Sequence, residues 1–112
     1  MTVTSQQARI VLSTADSDEE ANHIAYALVD KRLAACISLI PNVKSIYRWQ
    51  GSVESASEIL LIIKTSVDKL DELEAALHSL HSYAIPELLV LGIESGSQTY
   101  LQWLFENLDS GA

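Results

Sequence analysis

A chain of 112 residues with 48% apolar and 20% charged residues has the size and composition of one globular domain. Its formal net charge of −8 argues against nucleic acid and anionic membranes as partners, because both are bound through basic surfaces. With Cys36 as its one cysteine, and no apolar stretch typical of a signal peptide or membrane span, we expect a cytoplasmic protein.

The first half of the chain predicts a strand, a helix and a long hairpin. Residues 9–14 are rich in β-branched side chains and predict a strand. Ser17 with Glu20 three positions later is the pattern of a capping box, which starts a helix that ends near residue 33. Extended segments follow at 35–40, 43–49 and 53–64, and a turn around Gly51 joins the last two into a hairpin.

The second half predicts a helix, a strand and a short final helix. Thr65 or Ser66 caps the second helix, which carries leucines at helical spacing. Residues 82–86 form a loop, 87–94 a strand and 99–108 the last helix. The order β-α-β-β-α-β plus a terminal helix predicts one α+β, ferredoxin-like domain over residues 1–112. We expect residues 1–8 to be flexible and 109–112 to form a tail.

Three of the predicted strands are apolar at consecutive positions, over residues 59–63, 88–91 and 10–12. A strand with one solvated face alternates apolar with polar residues, so both faces of this sheet require cover. The final helix is too short to cover four strands. An exposed apolar face marks an interface, and we therefore expect copies of the chain to assemble. A charge on that face, for example at Leu61, should prevent assembly.

Four short stretches resemble the CutA family of divalent-ion-tolerance proteins. They are Leu33-Ala34-Ala35-Cys36 with Ile40-Pro41; Ser45, Tyr47, Trp49, Gly51, Glu54, Glu58 and Ile63-Lys64-Thr65; His81, Tyr83 and Pro86-Glu87; and Tyr100-Leu101 with Trp103-Leu104. Ser82 departs from the family pattern, which usually has proline there. The resemblance implies a homotrimer similar in fold to PII signalling proteins and associated with tolerance to divalent metals, especially copper.

Cys36, His81 and Glu87 are the candidate metal ligands. Thiolate and imidazole suit copper or zinc better than magnesium or calcium, and the resemblance implies that Cys36 contacts copper. The competing interpretations are a small buried hydrophobe for Cys36 and a favourable position at a helix C-terminus for His81. His78, three residues before His81, is better explained by the helix-end interpretation. No organic cofactor is expected, because the chain lacks a glycine-rich phosphate loop.

The remaining candidates would line a cleft or an interface between subunits. Aromatic side chains line many ligand pockets, but tyrosine and tryptophan are also enriched in protein interfaces. Glu54 and Glu58 share one strand face, where they could be metal ligands, an acid–base pair or partners of Lys44, Arg48 or Lys64. The complete set is Tyr47, Trp49, Glu54, Glu58, Lys64, Tyr83 and Trp103.

The sequence thus predicts a trimeric module that binds copper or another divalent cation and catalyses no reaction. The alternative is a signalling or scaffold trimer of the PII type, which would bind a small metabolite in the cleft between subunits, or a partner protein. A third and weaker interpretation is an enzyme that assembles its site across subunits. Neither a nucleophile elbow nor a cysteine pair with zinc-finger spacing is present in the sequence.

Overall fold

The computed structural model describes residues 5–109, so the predicted flexible residues at 1–4 and the tail at 110–112 lie outside the described residues. Ser5–Gln7 form a 3-10 turn that leads into the first strand, and a second such turn, Val67–Lys69, precedes α2. The observed order of elements is the predicted one. The elements are β1 (Ala8–Ala15), α1 (Asp18–Asp30), β2 (Cys36–Trp49), β3 (Ser52–Ser66), α2 (Leu70–Leu80), β4 (Leu89–Gly92) and α3 (Gln98–Leu108).

All four strands form one antiparallel sheet in the order β2-β3-β1-β4. β1 is central, and it pairs with β3 along its whole length, from Ala8 opposite Ser66 to Ala15 opposite Ile59. A four-stranded antiparallel sheet with this strand order and two connecting helices is the ferredoxin-like arrangement, so the predicted α+β fold class is confirmed.

One face of the sheet packs against α1 and α2. The helix-side core is built from side chains with no exposed surface: Val11, Ile24, Leu28, Leu61, Ile63, Leu73 and Leu77. The expectation that Leu61 lies on an interface is therefore wrong. A charge at that position would be buried beneath the helices of its own chain and would disrupt the fold before it affected assembly.

The opposite face of the sheet, called the open face below, is also apolar. Cross-strand partners share a face, and Leu12 lies opposite both Ile62 and Leu89, while Ile40 lies opposite Leu60. Ile40, Leu89 and Leu91 are 43%, 56% and 46% exposed, so one copy of the chain leaves this face accessible to solvent. The predicted sheet with two apolar faces is confirmed. The open face consists of Ile10, Leu12, Ile40, Leu60, Ile62, Leu89 and Leu91.

β2 and β3 form a hairpin of 14- and 15-residue strands. Gln50 and Gly51 close it with φ values of 49° and 86°, which two-residue hairpins adopt in a type I′ turn. β1 ends opposite Ile59, so the part of the hairpin beyond Val43 has no third strand beside it. This projection contributes to a longest dimension of 52 Å. Because unpaired strand edges need a partner or a cover, we predict that the projecting part of the hairpin completes the sheet of a neighbouring copy.

Three local features differ from the sequence-based expectation. Ser17 caps α1 by accepting the Glu20 N–H at 3.1 Å, but the Glu20 carboxylate bonds Ser82 and leaves the capping box incomplete. Thr65 does not cap α2, because its hydroxyl donates to the Leu33 carbonyl at 2.7 Å and its backbone continues β3. The Ser66 side chain bonds Asp68 and makes no capping bond to the backbone. β4 has four residues rather than the predicted eight.

Candidate functional site

The loop that follows α2 brings His81 against the end of β1. His81 Nε2 lies 2.6 Å from the Thr14 carbonyl oxygen, which only accepts hydrogen bonds, so Nε2 carries the hydrogen. His81 Nδ1 accepts the backbone N–H of Tyr83 at 3.1 Å. Both ring nitrogens are therefore engaged, and an ion that binds His81 has to displace the Tyr83 N–H from Nδ1.

Tyr83 connects this loop to β3. Its ring centroid lies 4.6 Å from that of His81, and its hydroxyl donates to Glu58 Oε2 at 2.7 Å. Partial burial, followed by the hydrogen bond and charge of Glu58, raises the pKa of the Tyr83 phenol. The phenol thus stays protonated at neutral pH and serves as a hydrogen-bond donor.

Glu58 and Glu87 place two carboxyl groups at one end of the open face. Glu58 precedes Leu60 by two residues on β3, so both side chains point to that face. Glu58 is 8% exposed, and burial together with the Glu58 charge raises the pKa of Glu87. We call Glu58, Tyr83 and Glu87 the acidic end of the open face.

A second carboxylate fixes the loop from the side of α1. Glu20 accepts the Ser82 N–H at 2.7 Å and the Ser82 hydroxyl at 2.9 Å, and its Oε1 lies 3.3 Å from His81 Nδ1. Partial burial alone would raise the pKa of Glu20, but the Ser82 hydrogen bonds, with Asp16 and His81, hold it below its usual range. A hydrogen bond to Glu20 raises the pKa of Asp16. Ser82, which replaces the family's usual proline, thus supplies two donors that proline lacks.

Cys36 lies at the other end of the open face with a lysine. Cys36 and Lys64 are direct cross-strand partners, and Lys64 Nζ lies 3.7 Å from Cys36 Sγ and 2.5 Å from Ser38 Oγ. Tyr100 of α3 is close enough that, after burial, the cysteine charge contributes to a raised Tyr100 pKa. We call Cys36, Ser38 and Lys64 the basic end of the open face.

One copy of the chain does not bring the three candidate metal ligands together. Cys36 and Lys64 lie level with Ile10 in the sheet, whereas His81 contacts Thr14 four residues further along β1. That offset is about 13 Å along the strands and about 10 Å across them. Within residues 5–109, no three side chains of His, Cys, Asp or Glu converge closely enough to hold a metal ion. Glu87 lies with Glu58, and so nearer to His81 than to Cys36.

The other predicted cleft residues divide between two regions. Tyr47, Trp49 and Glu54 lie on the projecting part of the hairpin and are exposed. Trp103 lies on α3, where its ring is 5.6 Å from that of Tyr100. These four residues therefore lie apart from the Tyr83–Glu58 hydrogen bond that forms the centre of the acidic end.

Sequence reasoning missed four participants in the site. Thr14 acts through its backbone carbonyl, and Glu20 was predicted only as the second residue of a capping box. Ser82 appeared only as a departure from a family pattern, and Ser38 was not considered at all. The Glu20–Ser82 contact joins residues 62 positions apart, and no local sequence pattern signals a contact at that separation.

The chain matches the family model described as CutA1 divalent ion tolerance protein over residues 9–107. It is 46% identical over 98 residues to the divalent-cation tolerance protein CutA of Thermus thermophilus, and the match covers 88% of this chain and 95% of that protein. Protein CutA, chloroplastic, of Arabidopsis thaliana is 40% identical over 95 residues, which cover 85% of this chain and 52% of the plant protein. The chain therefore spans about half the length of the plant relative.

Among solved structures, the periplasmic divalent cation tolerance protein CutA of Archaeoglobus fulgidus superposes with a TM-score of 0.88 at 36% identity. The alignment covers 91% of this chain and 99% of the archaeal chain. Among residues 5–109, no helix combines the length and apolar character needed to cross a bilayer.

Proposed function

Because this chain belongs to the CutA1 family of divalent ion tolerance proteins, we propose that it acts in tolerance to divalent metal ions. In this proposal it works as a homotrimer that binds copper or another divalent cation near a subunit boundary, and it catalyses no reaction. The family description names tolerance and no reaction. The cytoplasmic location remains part of the proposal, since the relatives include proteins named for the chloroplast and the periplasm.

The observation that carries the proposal is the group of metal-ligand side chains beside the accessible open face. His81, Glu58 and Glu87 lie at one end of that face and Cys36 at the other, and both ends border apolar side chains that one copy leaves exposed. Exposed apolar surface of this kind is typical of an interface. A second copy on the open face would place ligands of both copies at one boundary.

A metal site therefore has to draw ligands from more than one copy. Within the described residues, Cys36 and His81 are too far apart to share an ion, and His81 offers a lone pair only at Nδ1. Copper and zinc favour imidazole and thiolate ligands, whereas magnesium favours carboxylates and water. We expect copper or zinc to bind the assembled protein more tightly than magnesium.

Calorimetric titration of the assembled protein with copper, zinc and magnesium tests this function. Cys36→Ser and His81→Ala should each lower copper affinity by at least about tenfold, because each removes one ligand of a small set. His78→Ala is the matched control, since His78 is an exposed histidine of α2 and should leave the affinity unchanged. Affinity should also fall as the pH falls, because protons compete for both ligands. If both test variants bind copper as the wild type does, the proposed ligand set is wrong.

The engagement of both His81 nitrogens favours a second candidate function. A trimer of the PII type would use His81 and Glu20 only to hold the loop, and its clefts would receive a small metabolite or a partner protein. In that case copper would bind loosely at surface histidines and carboxylates, and His78→Ala would weaken it as much as His81→Ala. The same titration series therefore separates the two functions.

A further inference from the structure

Two charges of opposite sign lie on the open face without a counter-ion. Lys64 is half-buried, and its ammonium contacts Ser38 Oγ and Cys36 Sγ, so no carboxylate of residues 5–109 lies beside it. Glu58 is buried, and its carboxylate accepts a hydrogen bond from the neutral Tyr83 hydroxyl. Among the described residues, neither side chain has a partner of opposite charge within ion-pair distance.

An uncompensated charge in such a position is costly. Removing a carboxylate or an ammonium from water is compensated only when an opposite charge and further hydrogen bonds replace the lost hydration. Glu87 makes a negative charge at the acidic end more costly, because the two carboxyl groups lie close enough to repel each other. Burial and the Glu58 charge accordingly raise the pKa of Glu87. The acidic end therefore favours a cation, and the basic end favours an anion.

The two charges cannot pair within one copy. Glu58 and Lys64 lie six positions apart on β3, which corresponds to about 20 Å along an extended strand. The apolar side chains of the open face fill the space between them, over a sheet about 19 Å wide. This footprint of roughly 400 Å² lies within the range of about 300–600 Å² that the largest apolar patch of a typical monomer spans, and such a patch is often functional.

We propose that Lys64 of one copy is the counter-ion of Glu58 and Glu87 of the next copy. This pairing rests on the assembly in the proposed function and names the residues that direct it. The apolar side chains of the open face favour association but do not determine the orientation of a second copy. Charges of opposite sign at the two ends of the face determine that orientation.

The pairing has a consequence for the separated metal ligands. Cys36 lies 3.7 Å from the Lys64 ammonium, and Glu58 is joined through Tyr83 to the ring of His81. A contact between Lys64 and Glu58 of different copies therefore brings Cys36 of one copy towards His81 of the next. One interface thus contains the ligand types that a single copy keeps apart.

A double-mutant cycle on the assembly constant tests the pairing. Lys64→Met and Glu58→Gln each remove one charge while they keep the side-chain size, and the new amide oxygen can still accept the Tyr83 hydroxyl bond. Sedimentation over a dilution series should show each single variant weakened by about 30-fold or more, because the other charge is left buried and alone. The double variant should be no weaker than the weaker single variant. Lys31→Met is the matched control, since it removes one exposed lysine charge at the end of α1, on the helix side of the sheet, and its assembly constant should stay within about threefold of the wild type.

The pairing is overturned by single-variant effects that multiply in the double variant, by a single variant that assembles as the wild type does, or by a monomeric wild type. If a single variant does not fold by circular dichroism, Lys64→Glu with Glu58→Lys replaces it. That double variant restores the pair and should assemble, and a folded monomer would overturn the proposal. If Glu58→Gln lowers affinity for magnesium or copper but leaves assembly unchanged, the acidic end serves an ion and the pairing is wrong. The copper titrations of Cys36→Ser and His81→Ala judge the proposed function separately.

Discussion

An aspartate should have different effects at two adjacent residues of β3. Ile62 lies on the open face between Leu12 and Ser38, whereas Leu61 is fully buried in the helix-side core. We predict that Ile62→Asp yields a folded chain that does not assemble, and that Leu61→Asp yields an unfolded chain. The pair is informative because position in the strand and the change in chemistry are almost the same.

The magnitudes follow from the two environments. At half-buried Ile62, loss of apolar contact costs about 1 kcal/mol, which a domain with about 5–15 kcal/mol of stability tolerates. In an assembly the new carboxylate would be buried without a partner, at about 3 kcal/mol per interface, which weakens each contact roughly 100-fold. At Leu61, a lost leucine costs about 2–5 kcal/mol and the buried charge adds about 3 kcal/mol more, a sum comparable with the whole stability.

Sedimentation velocity at micromolar concentration and far-ultraviolet circular dichroism measure the two outcomes. The wild type should sediment as an oligomer, and Ile62→Asp as a species of about 12 kDa with native circular dichroism. An Ile62→Asp chain that assembles as the wild type does would refute the open face as the interface. A folded Leu61→Asp chain would refute the assignment of the two sheet faces.

Four further substitutions test the interior and the loop. Ser13 Oγ is buried with no hydrogen-bond partner among the described residues, so Ser13→Ala should leave the free energy of unfolding unchanged or raise it by up to about 1 kcal/mol. Thr65→Val removes the hydrogen bond to the Leu33 carbonyl and should lower the free energy of unfolding by about 1–2 kcal/mol. Urea titration measures this free energy for Ser13→Ala and Thr65→Val, and an equal loss in both variants would contradict the reasoning. Tyr83→Phe leaves Glu58 without its donor and should lower the melting temperature, whereas an unchanged value would show that this bond contributes nothing. Because the folded-state pKa of Glu20 is depressed, its contribution is complete above the unfolded pKa of about 4.3 and is lost as the pH falls through the folded pKa. Glu20→Gln should remove that acid-side loss in melting curves recorded between about pH 5 and pH 2.5, and identical curves for variant and wild type would count against it.

The sequence by itself determined the order of elements and the need for cover on both sheet faces. Local signals were sufficient there, because Ser17 precedes an amphipathic segment and Gly51 separates two extended ones. The unbroken apolar run around Leu61 indicated a strand that requires cover on both faces, and in one copy its side chains alternate between buried and half-buried. The family motifs likewise placed His81, Tyr83 and Glu58 among the candidates before their contacts were known.

Only the tertiary structure decided which side of that strand belongs to the core and which contacts form the site. A strand that is apolar at every position contains no alternation, so nothing in residues 59–63 distinguishes Leu61 beneath the helices from Ile62 on the open face. The sequence also does not show which groups a polar side chain will bond, because packing determines the partner of a hydrogen bond. Glu20 satisfies Ser82 instead of its own helix end, and Thr65 satisfies the Leu33 carbonyl instead of starting α2. Each contact joins segments that are distant in sequence, and they meet only once the helices have packed on the sheet.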